Sequence, residues 1–264
     1  MTAQQLLDRL WQGYVALNPH ALAVHDLLRG RGETIVNDHI AFRSFAHPRV
    51  NVSTLARPFL NWGWREAGAH EFPEKRLHAR HYLPPDPSLP KVFISELRLD
   101  LCTPELRRTV TAWIEALPDA AELQDDFLAS GRPWEPTLAQ YEALRSESEY
   151  AGWLAAFGYC ANHFTVRVNA LRTVPSLASL NALLREHGFE LNRSGGEIKG
   201  SAALGLEQSS TLAGKVEVAF ADGRLTLPAC YYEFAQRYPD AGGQLFEGFI
   251  PESANRIFES THRR

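Results

Sequence analysis

Asn37-Asp38-His39-Ile40-Ala41-Phe42-Arg43-Ser44-Phe45 returns later in the chain as Ala161-Asn162-His163-Phe164-Thr165-Val166-Arg167-Val168-Asn169. Both stretches read His-x-x-x-Arg with apolar filling, the texture of a strand. In an extended strand residues i and i+4 share one face, about 13 Å apart at ~3.3 Å per residue. Two similar strands with the same polar ends point to a pseudo-symmetric pair of modules facing each other across one site. The residues downstream of each copy repeat too. A helical stretch at 52–62 leads to Gly63-Trp64-Arg65-Glu66, and one at 175–187 leads to Gly188-Phe189-Glu190-Leu191. The His-to-Gly offsets are 24 residues (39 to 63) and 25 residues (163 to 188). Agreement in spacing, residue type and order is the mark of internal duplication.

Around these copies the chain reads as α+β. Leu6, Leu7, Leu10, Tyr14 and Leu17 form the stripe of an amphipathic helix, and a second short helix follows Pro19, so residues 1–30 are expected to be helical. A first module at 35–100 has a strand at 39–45, a helix at 52–62 and strands at 64–72, 76–83 and 91–97, a βαβββ order. Thr103-Pro104-Glu105 opens a helical insert at 103–157. A second βαβββ module at 161–237 has its strand at 163–169, its helix at 175–187 and strands expected at 189–193, 215–220 and 227–235. Residues 238–264 form a C-terminal tail. Residues 194–211 read as a long polar loop, the kind that often serves function and here a candidate to close over a pocket. The expectation is a single catalytic domain over 1–264, two pseudo-symmetric modules forming a cupped sheet.

Composition narrows the function. Hydrophobic residues make up 45% and charged residues 22%, so the 264 residues can bury a full core. A net charge of −4 without a basic block argues against nucleic acid and anionic membranes as partners. Leu154-Ala155-Ala156-Phe157 is too short to span a bilayer, and the polar N-terminus lacks a signal-peptide pattern. Cys102, Cys160 and Cys230 lie far apart with no CxxC spacing, so they read as reduced thiols. These features lead to the expectation of a cytoplasmic protein with a small-molecule partner, homo-oligomerisation being left open.

Two histidines at matching positions of two modules make metal binding the sharp hypothesis. A mononuclear non-haem Fe(II) site takes two imidazoles and one carboxylate and keeps its other positions open. The carboxylate should come from the last strand of a module. Glu233, in Tyr231-Tyr232-Glu233-Phe234, is one candidate, because an unpartnered carboxylate on an apolar strand is costly and a metal removes that cost. Glu96, in Ser95-Glu96-Leu97, is the reserve. Plainer readings stand beside these: a core histidine held by hydrogen bonds, a structural ion pair for Glu233, and solvent-facing strand positions for Arg43 and Arg167. His78-Ala79-Arg80-His81 reads as surface, since i and i+3 on a strand point to opposite faces. Lys199 and Ser209 are loop hydrogen-bonders and candidate substrate contacts. GxSxG, Walker and HExxH patterns are absent.

Taken together, Asn37 to Arg43, the Asn162-His163-Phe164 strand, Ile198-Lys199-Gly200-Ser201, Gln208-Ser209-Ser210-Thr211 and Tyr232-Glu233-Phe234 resemble the 2-oxoadipate dioxygenase/decarboxylase family. The resemblance runs from the first helix to Arg256 and implies a vicinal-oxygen-chelate fold. It also implies an Fe(II) centre on His39, His163 and Glu233, with Arg43 as the catalytic-site anchor of a substrate carboxylate. A guanidinium suits that role because its forked donors match a carboxylate and stay charged. The implied reaction turns 2-oxoadipate, or a similar 2-oxo acid, and O2 into 2-hydroxyglutarate and CO2, with both oxygen atoms entering one organic product. Lysine catabolism is the pathway the resemblance suggests. The alternatives are another metalloenzyme on the same fold (a hydrolase, isomerase or extradiol dioxygenase), which a fourth ligand such as Glu96 would favour, or a non-catalytic module that sequesters a small anion.

Overall fold

The computed structural model describes residues 1–258; the last part of the expected tail, 259–264, lies outside the described residues. Helix α1 (Ala3–Leu17) starts where the Thr2 hydroxyl accepts from the Gln5 N–H and the Gln5 side chain returns the bond to Thr2. Its apolar stripe of Leu6, Leu7, Leu10 and Tyr14 is buried. Helix α2 (Pro19–Gly30) follows with proline in its first turn, where no N–H is missed.

The first module is β1 (Asn37–Phe45), α3 (Val52–Asn61), β2 (Arg65–Phe72), β3 (Leu77–Leu83) and β4 (Lys91–Leu97). Helices α4 (Pro104–Glu115), α5 (Leu138–Glu147) and α6 (Glu149–Phe157) make up the insert. The second module runs β5 (Ala161–Arg167), α7 (Leu177–Glu186), β6 (Lys199–Ser201), β7 (Leu206–Ser210), a hairpin of β8 (Lys215–Phe220) and β9 (Gly223–Pro228), and β10 (Tyr231–Arg237). Helix α8 (Pro251–Phe258) ends the described chain.

One eight-stranded sheet joins the modules in the order β2-β3-β4-β1-β5-β10-β7-β6. The order is symmetric about the β1–β5 pair. On each side the first strand lies parallel to the last strand of its own module, then come an antiparallel neighbour and an edge strand. The register makes the duplication residue-specific: His39 pairs with Lys91 and His163 with Tyr231. Five residues beyond those partners lie Glu96 and Gln236, and both do one job. Glu96 accepts from the Val52 N–H at 2.7 Å and Gln236 from the Leu177 N–H at 2.6 Å, so each last strand caps the first turn of its own module's helix.

Helices α3, α7 and α1 cover one face of the sheet: Phe59 lies against Phe42, and Tyr14 and Trp11 lie against Phe164. The other face forms the cup. Helix α6 is buried on all sides and closes one end of that cup. Tyr150 donates to the Ser95 carbonyl and accepts from the Ser44 N–H, while Trp153 donates to the Ala229 carbonyl. Gly158 ends α6 at φ 65°, and a Cβ there would meet the Gly131 carbonyl oxygen at 2.3 Å, so only glycine fits the close approach.

The second module departs from the sequence expectation in three places. Residues 189–193 form no strand but run beside the end of β7, with Leu191 opposite Thr211, the Asn192 N–H donating to the Ser210 carbonyl and the Glu190 carbonyl accepting from the Leu212 N–H. The 215–220 strand pairs with 223–228 in a hairpin outside the main sheet, with Phe220 against Tyr141 of the insert. Part of the expected 194–211 loop is instead β6 and β7. Apart from Leu206 their buried side chains are polar, so hydrophobic alternation does not betray them.

Candidate metal centre

His39, His163 and Glu233 meet on the cup face, all buried, with ligand atoms within 4.8 Å of one another. They come from three adjacent strands, β1, β5 and β10. The two Nε2 atoms are 3.3 Å apart, and the Glu233 oxygens lie 3.4 Å from His39 Nε2 and 3.2 Å from His163 Nε2. Ligand bonds of about 2.1 Å put neighbouring ligands about 3.0 Å apart on an octahedron and about 3.4 Å apart on a tetrahedron. The observed spacings fit a divalent ion of either geometry. The donor set, two imidazoles and one carboxylate, is that of an open non-haem iron site.

The backs of both imidazoles are held alike. Each histidine follows an Asx residue: Asp38 Oδ1 lies 2.8 Å from His39 Nδ1 and Asn162 Oδ1 lies 3.2 Å from His163 Nδ1. An Nδ1–H donating backwards leaves the Nε2 lone pair facing the third ligand. Glu233 is steadied by Gln208, whose Nε2 donates to Oε1 at 2.5 Å. Burial pushes the Glu233 carboxyl up from its ordinary range, opposed by His39 and the Gln208 amide. Burial, with His39 and Arg43 nearby, holds His163 well below the usual imidazole range, so it stays a neutral donor. Burial works against an ionised Asp38 too, but Arg237 overcomes it and keeps that carboxylate well below its normal range.

Arg43 shares the cup face and lies beneath α6, its guanidinium 4.7 Å from the Trp153 ring centroid and 5.1 Å from that of Tyr150. It is 3% exposed, which replaces the solvent-facing reading. Burial draws its pKa down from the ordinary value, yet a guanidinium remains a cation. Its counterpart Arg167 turns to the rim, donating to the Pro87 carbonyl.

The other expected positions separate. Glu96 lies on the helix side, capping α3, and is no fourth ligand; the residue matching Glu233 in the first module is Phe93, two past Lys91 as Glu233 is two past Tyr231. Ser209 also faces the helices, donating to Asn181 Oδ1 at 2.7 Å. Lys199 pairs with Gln208 and shares its cup side, its amine donating to the Asn192 carbonyl at 2.6 Å. Neither belongs to a lid. The segment above the cup is instead 244–250 with α8, which touches β2 at one sheet edge and β6 at the other. Phe249 sets its ring 4.8 Å from His39. The surface reading of 78–81 holds for His78 but not for His81, which is buried beside His70 and Phe249. Asp38, Asn162, Gln208, Arg237 and Phe249 escaped the sequence reading, although the Asx before each histidine was a signal in plain sight.

A model of the 2-oxoadipate dioxygenase/decarboxylase family matches residues 14–241. A 2-oxoadipate dioxygenase/decarboxylase from Arabidopsis thaliana is 34% identical over 285 aligned residues, covering 98% of this chain and 77% of that protein. The hydroxyglutarate synthase of Oryza sativa, solved in complex with 2-oxoadipate, superposes with a TM-score of 0.88 at 30% identity, covering 97% of this chain and 91% of the other. A Shewanella frigidimarina protein provisionally called a hydrolase superposes with a TM-score of 0.91 at 47% identity, covering 95% and 98%. The cytoplasmic expectation is corrected by the curated relatives: the Arabidopsis protein is chloroplastic, and one from Oryza sativa subsp. japonica is chloroplastic/amyloplastic. Widely spaced cysteines and a modest net charge do not single out one compartment. With its matching family model, its relatives and a cup that gathers two histidines and a glutamate, the chain belongs to the 2-oxoadipate dioxygenase/decarboxylase family.

Proposed function

We propose that this chain, acting as one catalytic domain, is an Fe(II)-dependent dioxygenase that decarboxylates 2-oxoadipate to 2-hydroxyglutarate, with O2 as co-substrate. The observation that carries this reading is the convergence of His39, His163 and Glu233 on one point of a buried cup, in a chain of this family. His39 and His163 would each offer Nε2, and Glu233 an oxygen. Fe(II) held there would polarise the 2-oxo acid and bring it together with oxygen.

The protein's own groups do the rest. Asp38 and Asn162 keep both Nδ1 protons turned away from the centre, so the two Nε2 atoms remain acceptors. Gln208 occupies one lone pair of Glu233 and limits how the carboxylate can turn. Arg43 binds a substrate carboxylate, and the Tyr150 and Trp153 rings fix the plane in which its forked donors are presented. Tyr231 stacks on His163 and Phe249 stands against His39, so apolar walls keep water from the centre. Lys199 supports the β6 edge of the cup through the Asn192 carbonyl, and Ser209 stays with α7.

The test is oxygen uptake by protein loaded anaerobically with Fe(II) and started with 2-oxoadipate, beside His39→Ala. Uptake matched mole for mole by 2-hydroxyglutarate, and lost in the variant, is the expected result. Iron-loaded wild type that consumes no oxygen with 2-oxoadipate or any 2-oxo acid of a chain-length panel would overturn the assignment.

A further inference from the structure

The two modules hold their histidines with the same device but not with the same charge. Asn162 is neutral, whereas Asp38 is a buried carboxylate, 0% exposed, closer to its histidine and answered by Arg237. Arg237 Nε donates to Asp38 Oδ2 at 2.7 Å and its Nη2 to Oδ1 at 2.8 Å, a two-point grip. Asp38 reaches the cup side because the β1–β5 register slips between Asn37 and His39. Arg237 reaches it because it lies four residues beyond Glu233 on the same face of β10. The third arm of the guanidinium, Nη1, donates to the carbonyls of Phe246 at 2.7 Å and Gly248 at 2.9 Å. Those two residues belong to the segment that lays Phe249 over His39 and joins Glu247 to the buried Lys91 at 2.7 Å.

We propose that Asp38 and Arg237 are a positioning pair that fixes His39 as the anchoring ligand and couples its aim to the 244–250 segment over the cup. An imidazole whose Nδ1–H donates to a carboxylate is a more basic ligand than one donating to an amide. The asymmetry therefore makes His39 the stronger of the two nitrogen donors. Because one guanidinium holds both the carboxylate and the covering segment, displacing that segment loosens the grip on Asp38, and a metal seated on His39 favours the segment in place. Both residues act through His39 and not by touching substrate. The inference rests on the proposed metal centre.

The experiment is Co(II) titration of the full-length protein, read by affinity and by the visible absorption bands of the bound ion, for wild type, Asp38→Asn, Arg237→Lys and Asn162→Ala. Asp38→Asn should weaken Co(II) about 10- to 100-fold and shift the bands. Arg237→Lys keeps the charge but loses the fork and the carbonyl bonds, and should give the same band shift with faster release of the ion. Asn162→Ala should weaken binding less than Asp38→Asn does. If Asp38→Asn and Arg237→Lys lower only the melting temperature, with affinity within about twofold and bands unmoved, the pair is a structural ion pair and the proposal falls. Should Asp38→Asn not fold, Arg237→Lys decides the matter by the same readings. A wild type that binds Co(II), responds as expected in the variants and yet, with iron, turns over no 2-oxo acid would refute the proposed reaction and leave the coupling standing.

Discussion

Metal binding at His39, His163 and Glu233 should appear as heat stability, and the size of the effect can be worked out. An ion that binds the folded chain at 100 times its dissociation constant adds about 2.7 kcal/mol, and at 1,000 times about 4.1 kcal/mol. Unfolding entropy near 60 °C is about 2.1 cal/mol/K per residue, which for 264 residues is about 0.55 kcal/mol/K. The melting temperature should therefore rise by about 5 °C at the first concentration and about 7 °C at the second. His163→Ala removes one of three ligands. A 100-fold weaker site holds about 0.4 kcal/mol at the lower concentration, less than 1 °C or so. The assay is thermal unfolding of chelator-treated protein titrated anaerobically with Fe(II), and with Mn(II), Co(II) and Zn(II) in parallel, for wild type and His163→Ala. No shift with any of the four ions, or an equal shift in the variant, would refute the assignment of these residues as the metal site.

Three other outcomes are expected from particular contacts. Burial, then His70 and nearby Arg237 and Lys91, push His81 down to about 4 from an unfolded value of 6.5. Below pH 6.5 the unfolded chain binds the proton and the folded chain does not, so stability falls as pH drops towards 4. Between pH 7.5 and 5.5 this group alone should cost about 1.4 kcal/mol in urea unfolding, and His81→Phe should show a correspondingly smaller loss. Arg43→Lys keeps the charge without the fork and should lower kcat/KM about 10- to 100-fold at unchanged iron content, measured by steady-state oxygen uptake. Ser209→Ala should cost about 1 kcal/mol of stability through the lost bond to Asn181 while leaving kcat/KM unchanged; a large kinetic defect would restore Ser209 to the site.

The sequence by itself determined the paired modules and the identity of the metal-ligand candidates. His-x-x-x-Arg in two strand-like copies, followed by helices at matched distances, is local information: side-chain alternation in a strand and amphipathic spacing in a helix are written within a dozen residues. The choice between Glu96 and Glu233 was not local. It turned on parity across a strand pair, since Glu96 lies five residues past the partner of His39 and Glu233 two past the partner of His163, and a one-residue step changes the face. The same parity sent Ser209 to the helices and Gln208 to Glu233. Only the tertiary structure could supply those registers, because they are set by hydrogen bonds between strands well separated in the chain, His39 lying 52 residues before Lys91 and His163 lying 68 before Tyr231. It also decided what the hydrophobic pattern hid: a largely polar stretch at 206–210 that is a strand, with the Gln208 amide nitrogen bonded to Glu233 and the Ser209 hydroxyl to Asn181. A bulge turns Asp38 towards His39, and Arg237, nearly two hundred residues away, makes that buried carboxylate tenable.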